Sequence, residues 1–312
     1  MAKPYLNVSQ QITMLTSRKG LIIADAKFAE KKLMNIGYFS LVGGYKEPFI
    51  NKMTRRYEKS TSFEDIVSLY DFDKALRELT LSYLFQVEQK IGQLISDKFC
   101  AHYGEQQYFY LSSACYTSDP KKSVAVSKLI RILDKIANQD TDHAYIVHQR
   151  ITHGNVPLWV TKNAMTFGQL SKMYSLLRYQ EQSAISKEFS NVNEKELARY
   201  LNALTFFRNI CAHSERLYCH RLIQQDFPDK PLHAKLGLPK KGNQYIQGKR
   251  DYFGLVIALR YLLPREEFLI YKQLLWKLIV SFTRKTSRIT KAELLGYMGM
   301  PANWESITRY RL

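Results

Sequence analysis

The sequence predicts an all-α protein. Apolar residues return at three- and four-residue steps over long stretches, capping signals stand at the starts of those stretches, and glycines stand at their ends. One early stretch, YFSLVGGYKEPF, breaks the pattern with two glycines and a proline, as a loop or short extended piece does.

Two short helices are expected first, within SQQITMLTSRKG and DAKFAEKKLMNIG. Gly20 and Gly37 fall where a helix end favours a left-handed residue. The next element is long. Thr61 or Ser62, followed three residues later by Glu64 or Asp65, reads as a capping box in which hydroxyl and carboxylate satisfy orphan N–H groups. From there Ile66, Leu69, Leu76, Leu84, Val87, Ile91 and Ile95 keep the helical period, with no proline, to about Gly104. SDPKKSVAVSKLIRILDKIAN is a further helix, started at Ser118 or Asp119 with Pro120 just inside. THGNVPLWV is a turn leading into TFGQLSKMYSLL. NEKELARYLNALTFFRNICAHSERLYCHRL reads as one helix, with Glu194 and Glu196 early and basic residues late, matching the dipole. FPDKPLHAKLGLPKKGNQYIQGKR, rich in proline, glycine and lysine, reads as an exposed loop. Helices from about Tyr252 to Leu263 and from Arg265 to Phe282 follow, then a last one in TKAELLGYMG.

With 312 residues, 46% of them hydrophobic, the chain has enough apolar content for a substantial core. No uncharged apolar run approaches the roughly 18 residues a membrane span needs; the best stretch, Phe268 to Phe282, contains Lys272 and Lys277. The start, MAKPYLNVSQQ, does not read as a secretory signal. Cys100, Cys115, Cys211 and Cys219 form no C-x-x-C pair, so free thiols in a reducing, cytoplasmic setting are expected. Cys211, His213, Cys219 and His220 cluster in sequence but miss zinc-ligand spacing, and neither metal nor other cofactor is expected. The net charge is +18, and from Arg208 onward 19 basic residues stand against 8 acidic ones, a net of +11. Such an excess favours a polyanionic partner, most simply nucleic acid, over a merely solvated surface. In the basic loop, Lys240, Lys241, Lys249 and Arg250 are candidate phosphate contacts, and Tyr245 can stack a base.

The stretch RNICAH, Arg208 to His213, is the candidate reaction centre. On a helical wheel Asn202, Asn209, His213, Arg216 and His220 fall within about 40° of one line, with Arg208 well off it. A polar seam on an otherwise apolar helix must face solvent, a cleft or a partner chain. RNA cleavage without a metal uses the adjacent 2′-hydroxyl as nucleophile, so it needs a base, an acid and cations on the phosphate. Histidine titrates near neutrality and arginine holds phosphate with paired hydrogen bonds. This motif supplies one histidine, and a second copy across a two-fold axis would double the set. An Arg followed five residues later by His arises by chance about once in two chains of this composition, so spacing alone does not decide between a site and an ordinary helix.

The order of separated blocks says more. KPYLNVSQQITMLTSRKGLIIADAKFAEKKLMNIGYFSLVGGYKEPF, FEDIVSLYDFDKALRELTLSYLFQVEQKIG, PLWVTKNAMTFGQLSKMYSLL, LNALTFFRNICAHSERLY and the closing MGMPANW together resemble the abortive-infection (Abi) family, AbiD/AbiF branch, from about Lys3 to Trp304. That family is similar to the HEPN superfamily of helical domains. The resemblance implies a HEPN-like helical bundle with additional N- and C-terminal helices: an N-terminal extension over 1–60, a core over 61–225 and a basic loop with packed helices over 226–312. It implies a metal-independent endoribonuclease of phage defence or a toxin–antitoxin pair, a homodimer with no membrane attachment. RNA is then the substrate, and a structured non-coding RNA a second, restraining partner. By motif position Arg208, Asn209 and His213 would be catalytic, Glu88 would orient the arginine or histidine, and Arg216 would be a further phosphate contact. One departure stands out: three residues before Glu88, where the family often has a second acid, this chain has Phe85. The alternatives are an RNA-holding protein without cleavage, and a helical bundle with a structural or protein-binding role.

Overall fold

The computed structural model describes residues 4–312, and its architecture is all-α. Helices α1 (Val8–Thr13) and α2 (Ala26–Ile36) come first, and Gly20 and Gly37 adopt φ of +74° and +86° just beyond the helical turns that precede them. The stretch expected to be a loop or extended piece winds instead into a π-helical turn, Phe39–Gly43, and a 3₁₀ turn, Glu47–Phe49. Helix α3 (Phe63–Tyr103) runs for 41 residues, about 60 Å, without a break. Its capping box uses Ser62 and Asp65: the Asp65 amide donates to Ser62 Oγ at 3.2 Å and the Ser62 amide to Asp65 Oδ2 at 2.8 Å.

Next come α4 (Gln107–Tyr110), α5 (Ser123–Asp134), α6 (Ala144–His153), α7 (Leu158–Thr161), α8 (Phe167–Leu176), α9 (Tyr179–Ser186) and α10 (Glu194–Ala212). Helices α8, α9 and α10 pack along α3, and α10 also packs on α8 and on α9. The region expected to be an exposed loop is ordered. It forms α11 (Pro231–Lys235) and a two-residue hairpin, β1 (Lys240–Lys241) with β2 (Gln244–Tyr245), because Leu232, Leu236 and Leu238 are drawn into the core. There His233 accepts the Lys230 amide at Nδ1 and donates from Nε2 to the Gly248 carbonyl at 3.0 Å. Helix α12 (Tyr252–Leu262) is buried on every face, α13 (Arg265–Lys285) lies along α3, and α14 (Lys291–Met298) precedes the buried Trp304. Among the described residues no helix is long and apolar enough to cross a membrane.

Helix α10 corrects the expectation of a helix running through His220. It stops at Ala212, with His213 as its C-cap and Ser214 at φ +56°. The Glu215 amide donates to the Ile210 carbonyl at 3.0 Å and the Ser214 amide to Cys211 at 3.4 Å, the paired bonds of a Schellman motif. Serine in place of glycine concealed the stop. A non-glycine residue in the left-handed region costs on the order of 1–2 kcal/mol, part of which glycine's greater unfolded-state freedom cancels. Ser214→Gly is therefore expected to stabilise the protein by about 0.5–1 kcal/mol, read as a raised urea midpoint. An unchanged or lowered midpoint would contradict the strain at this turn.

Candidate active site

The loop after α10 is fastened to α3 by a buried carboxylate. Asp73, wholly inaccessible, accepts the Tyr218 amide at 2.7 Å, the Leu217 amide at 3.1 Å, the Tyr45 hydroxyl at 2.7 Å and Arg77 Nη1 at 2.7 Å. Arg77 Nη1 also donates to the Glu215 carbonyl at 3.2 Å. Burial raises the Asp73 pKa, and the donors from Tyr45, Arg77 and the two amides oppose that shift. The network ties α3, the N-terminal segment and the loop into one frame beneath His213.

His213 itself is exposed, at the very end of α10. It lines a cleft of about 660 Å³ together with Phe39, Arg216, His220 and Arg221, with Glu215 as the carboxylate there. Arg216, no longer on a shared helix with His213, crosses the cleft to donate to the Gly44 carbonyl at 3.0 Å. Phe39 is 87% exposed at the rim, a flat apolar face of the kind on which nucleobases stack. His220, which spacing had placed on the helical seam, reaches the cleft from the loop instead. It is half-buried, with its ring edge-on to Phe207 at 5.8 Å between centroids. Burial lowers its pKa below the usual histidine range, and Arg221 and Arg216 push the same way against Glu215.

Arg208 takes another direction. Its side chain leaves α10 toward α3, where the guanidinium lies over the Phe85 ring at 5.8 Å and Nε stands 3.7 Å from Glu88 Oε2. These two facing atoms are buried, too far apart for a hydrogen bond, and have no other partner. Burial raises the Glu88 pKa although Arg208 and the Phe167 amide pull it down. The structure thus brings Glu88 to Arg208, and Arg216 to His213, but Arg208 does not line the His213 cleft. Asn209 is exposed on α10. Nothing in the sequence pattern signalled Asp73, Arg77 and Tyr45 as the positioning set, or Phe39 and Arg221 as cleft residues; His220 belonged to the expected polar seam.

The basic loop is more neutral than its composition. Lys249 bridges to Asp229 at 2.6 Å and Asp226 at 3.5 Å, and Arg199 meets Asp226 at 2.5 Å. These residues line a second cleft, which Arg221 and Arg250 share with it. Lys240 and Lys241 are exposed on the hairpin. Tyr245 is covered by His233 at 4.9 Å and by Lys240 at 4.5 Å, which occupies the ring expected to stack a base. His213, Cys219 and His220 line one cleft, but among the described residues no group of three or more His, Cys, Asp or Glu side chains is placed to hold a metal ion.

The fold and site define a basic, all-α protein that presents histidines and arginines in one open cleft. A family model described as Abi-like protein matches residues 31–219, more than half of the 312-residue chain, and the chain belongs to that family. The membership points to a role in abortive infection, a form of phage defence. No curated protein and no solved structure matches the chain.

Removing one member of a buried ion pair leaves the other uncompensated, at about 3–5 kcal/mol. Asp73→Ala is expected to destabilise the protein by that amount in urea unfolding. Because Arg77 would then have lost its partner, the Asp73→Ala/Arg77→Met double variant should be less destabilised than the sum of the single changes. Strict additivity would show that the network does not act as a unit.

Proposed function

We propose that this Abi-like protein is a metal-independent endoribonuclease of HEPN type, acting in abortive infection or as the toxin of a toxin–antitoxin pair. The carrying observation is the placement of His213: exposed at a helix end, in a cleft lined by Arg216 and Arg221, and not sealed in the core. His213 transfers a proton, Arg208 binds the scissile phosphate, Asn209 positions the pair, Glu88 orients Arg208 and Arg216 is a further phosphate contact. The 2′-hydroxyl attacks its neighbouring phosphate, leaving a 2′,3′-cyclic phosphate and a free 5′-hydroxyl. A homodimer joined through the exposed side of α10, where Asn202, Phe206 and Asn209 stand, brings two copies of the motif together and places Arg208 and His213 groups from both chains at one groove.

A second reading has its own support. Within one chain Arg208 and His213 face different surroundings, and a +18 chain with an open basic cleft can hold a structured RNA without cutting it. The two are separated by incubating wild type and His213→Ala with total RNA in EDTA and analysing the 3′ ends. Cleavage predicts cyclic phosphates from the wild type, undiminished by the chelator, and a fall of about 100-fold or more in His213→Ala, the scale of a lost acid–base group. Tight, salt-sensitive binding by both proteins with intact RNA would establish the holding role instead.

A further inference from the structure

We infer that His220 is the general base of the proposed cleavage and His213 its general acid, so that one chain carries both proton-transfer groups in one cleft. This rests on the ribonuclease reading above and changes what that reading requires: the second imidazole need not come from a second protomer, and only Arg208, which does not line its own chain's cleft, is left for the partner chain to supply.

Geometry comes first. His220 and His213 line the same cleft, with Arg216 and Arg221 beside them to hold an anionic substrate. His220 follows Leu217 and Tyr218, whose amides are held by Asp73, and its own amide donates to the Leu217 carbonyl at 3.1 Å. Its ring is braced edge-on by Phe207 of α10. The ring is therefore fixed to the frame, while His213 stands at an exposed helix end. The titratable and charged groups around His220 are Glu215, Arg216, Arg221 and Cys219 on its own segment and His213 on α10. Among the described residues, the N-terminal segment contributes Tyr45, kept neutral by burial as Cys219 is. Burial, with Arg221 and Arg216 acting against Glu215, lowers the His220 pKa and so favours the unprotonated imidazole, the form that accepts a proton.

The proton balance closes within the cleft. His220 takes the 2′-hydroxyl proton as the 2′-oxygen attacks phosphorus. The bond from phosphorus to the 5′-oxygen breaks, and His213 gives its proton to that leaving oxygen. The pair ends with the charge exchanged, and water returns each ring to its starting form.

The test compares ordinary RNA with a substrate whose bridging 5′-oxygen is sulfur, because a thiolate leaves without protonation. His213→Ala should be impaired about 100-fold or more on ordinary RNA and recover most of that loss on the sulfur substrate. His220→Asn, checked for an unchanged circular dichroism spectrum, should be impaired on both and should lose the ascending limb of kcat/KM against pH. A structural role alone would leave that limb in place. In the wild type the limb should lie below the ordinary histidine range, a measurement that needs no variant to fold. Near-wild-type cleavage by His220→Asn, rescue of its defect by sulfur, or a wild-type limb at or above the ordinary range would overturn the assignment while leaving the ribonuclease reading standing. If the wild type cleaves neither substrate, both fall together.

Discussion

The site depends on the burial of one carboxylate. Asp73 lies at a core-facing position of α3, between Leu69 and Leu76, where an unpaired charge would be strongly unfavourable. It is tolerated because the loop after α10 brings two backbone amides to it, the N-terminal segment brings Tyr45, and Arg77 lies one turn on. The same face of α3 carries Thr80, whose hydroxyl meets Tyr252 at 2.9 Å, and Tyr252 in turn meets Tyr271 at 2.8 Å. This chain of satisfied polar groups fixes the register of the loop, α12 and α13 against one long helix. Apolar contacts alone specify such a register less sharply.

That arrangement accounts for what was legible in the sequence. The course of α3 could be read because its apolar period is unbroken and its cap is a recognisable Ser/Asp pair. The end of α10 could not, because Ser214 takes the conformation that glycine advertises. Asp73 and Arg77 could not either: an acid and a base four residues apart on a helix look like an ordinary surface pair, and their partners lie some 140 positions away. The segment from Phe227 to Arg250 misled by composition. Its lysines and prolines suggest exposure, yet three leucines and a neutral histidine anchor it and acids match part of its charge. Of the candidate site, the pairing of Glu88 with Arg208 came from family likeness rather than from spacing, and His220 reached the cleft by a route the helical wheel did not contain.

The early termination of α10 has a chemical consequence. Had the helix continued, His213, Arg216 and His220 would have stood in a row along one rigid face, with a rise of about 1.5 Å per residue between them. The Schellman turn folds the chain back at His213, so residues that would have been spread along an axis instead surround a concave space closed on the far side by the Phe39–Gly43 turn. A concave site lined by fixed cations can orient a phosphate diester. A flat helical face can only attract one.

Phe85 bears on the remaining cation. Two carboxylates around Arg208 would neutralise it and compete with a phosphate for its donors. Here one acid, Glu88, stands 3.7 Å away without a hydrogen bond, and burial raises its pKa, which weakens its hold further. The Phe85 ring supports the guanidinium plane by a cation–π contact, which is worth about 0.5–2 kcal/mol and leaves the edge donors open. The exchange of an acid for an aromatic ring therefore keeps Arg208 in place with less of its charge cancelled. On the proposal that Arg208 holds the scissile phosphate, the departure at Phe85 leaves more of its charge for that role.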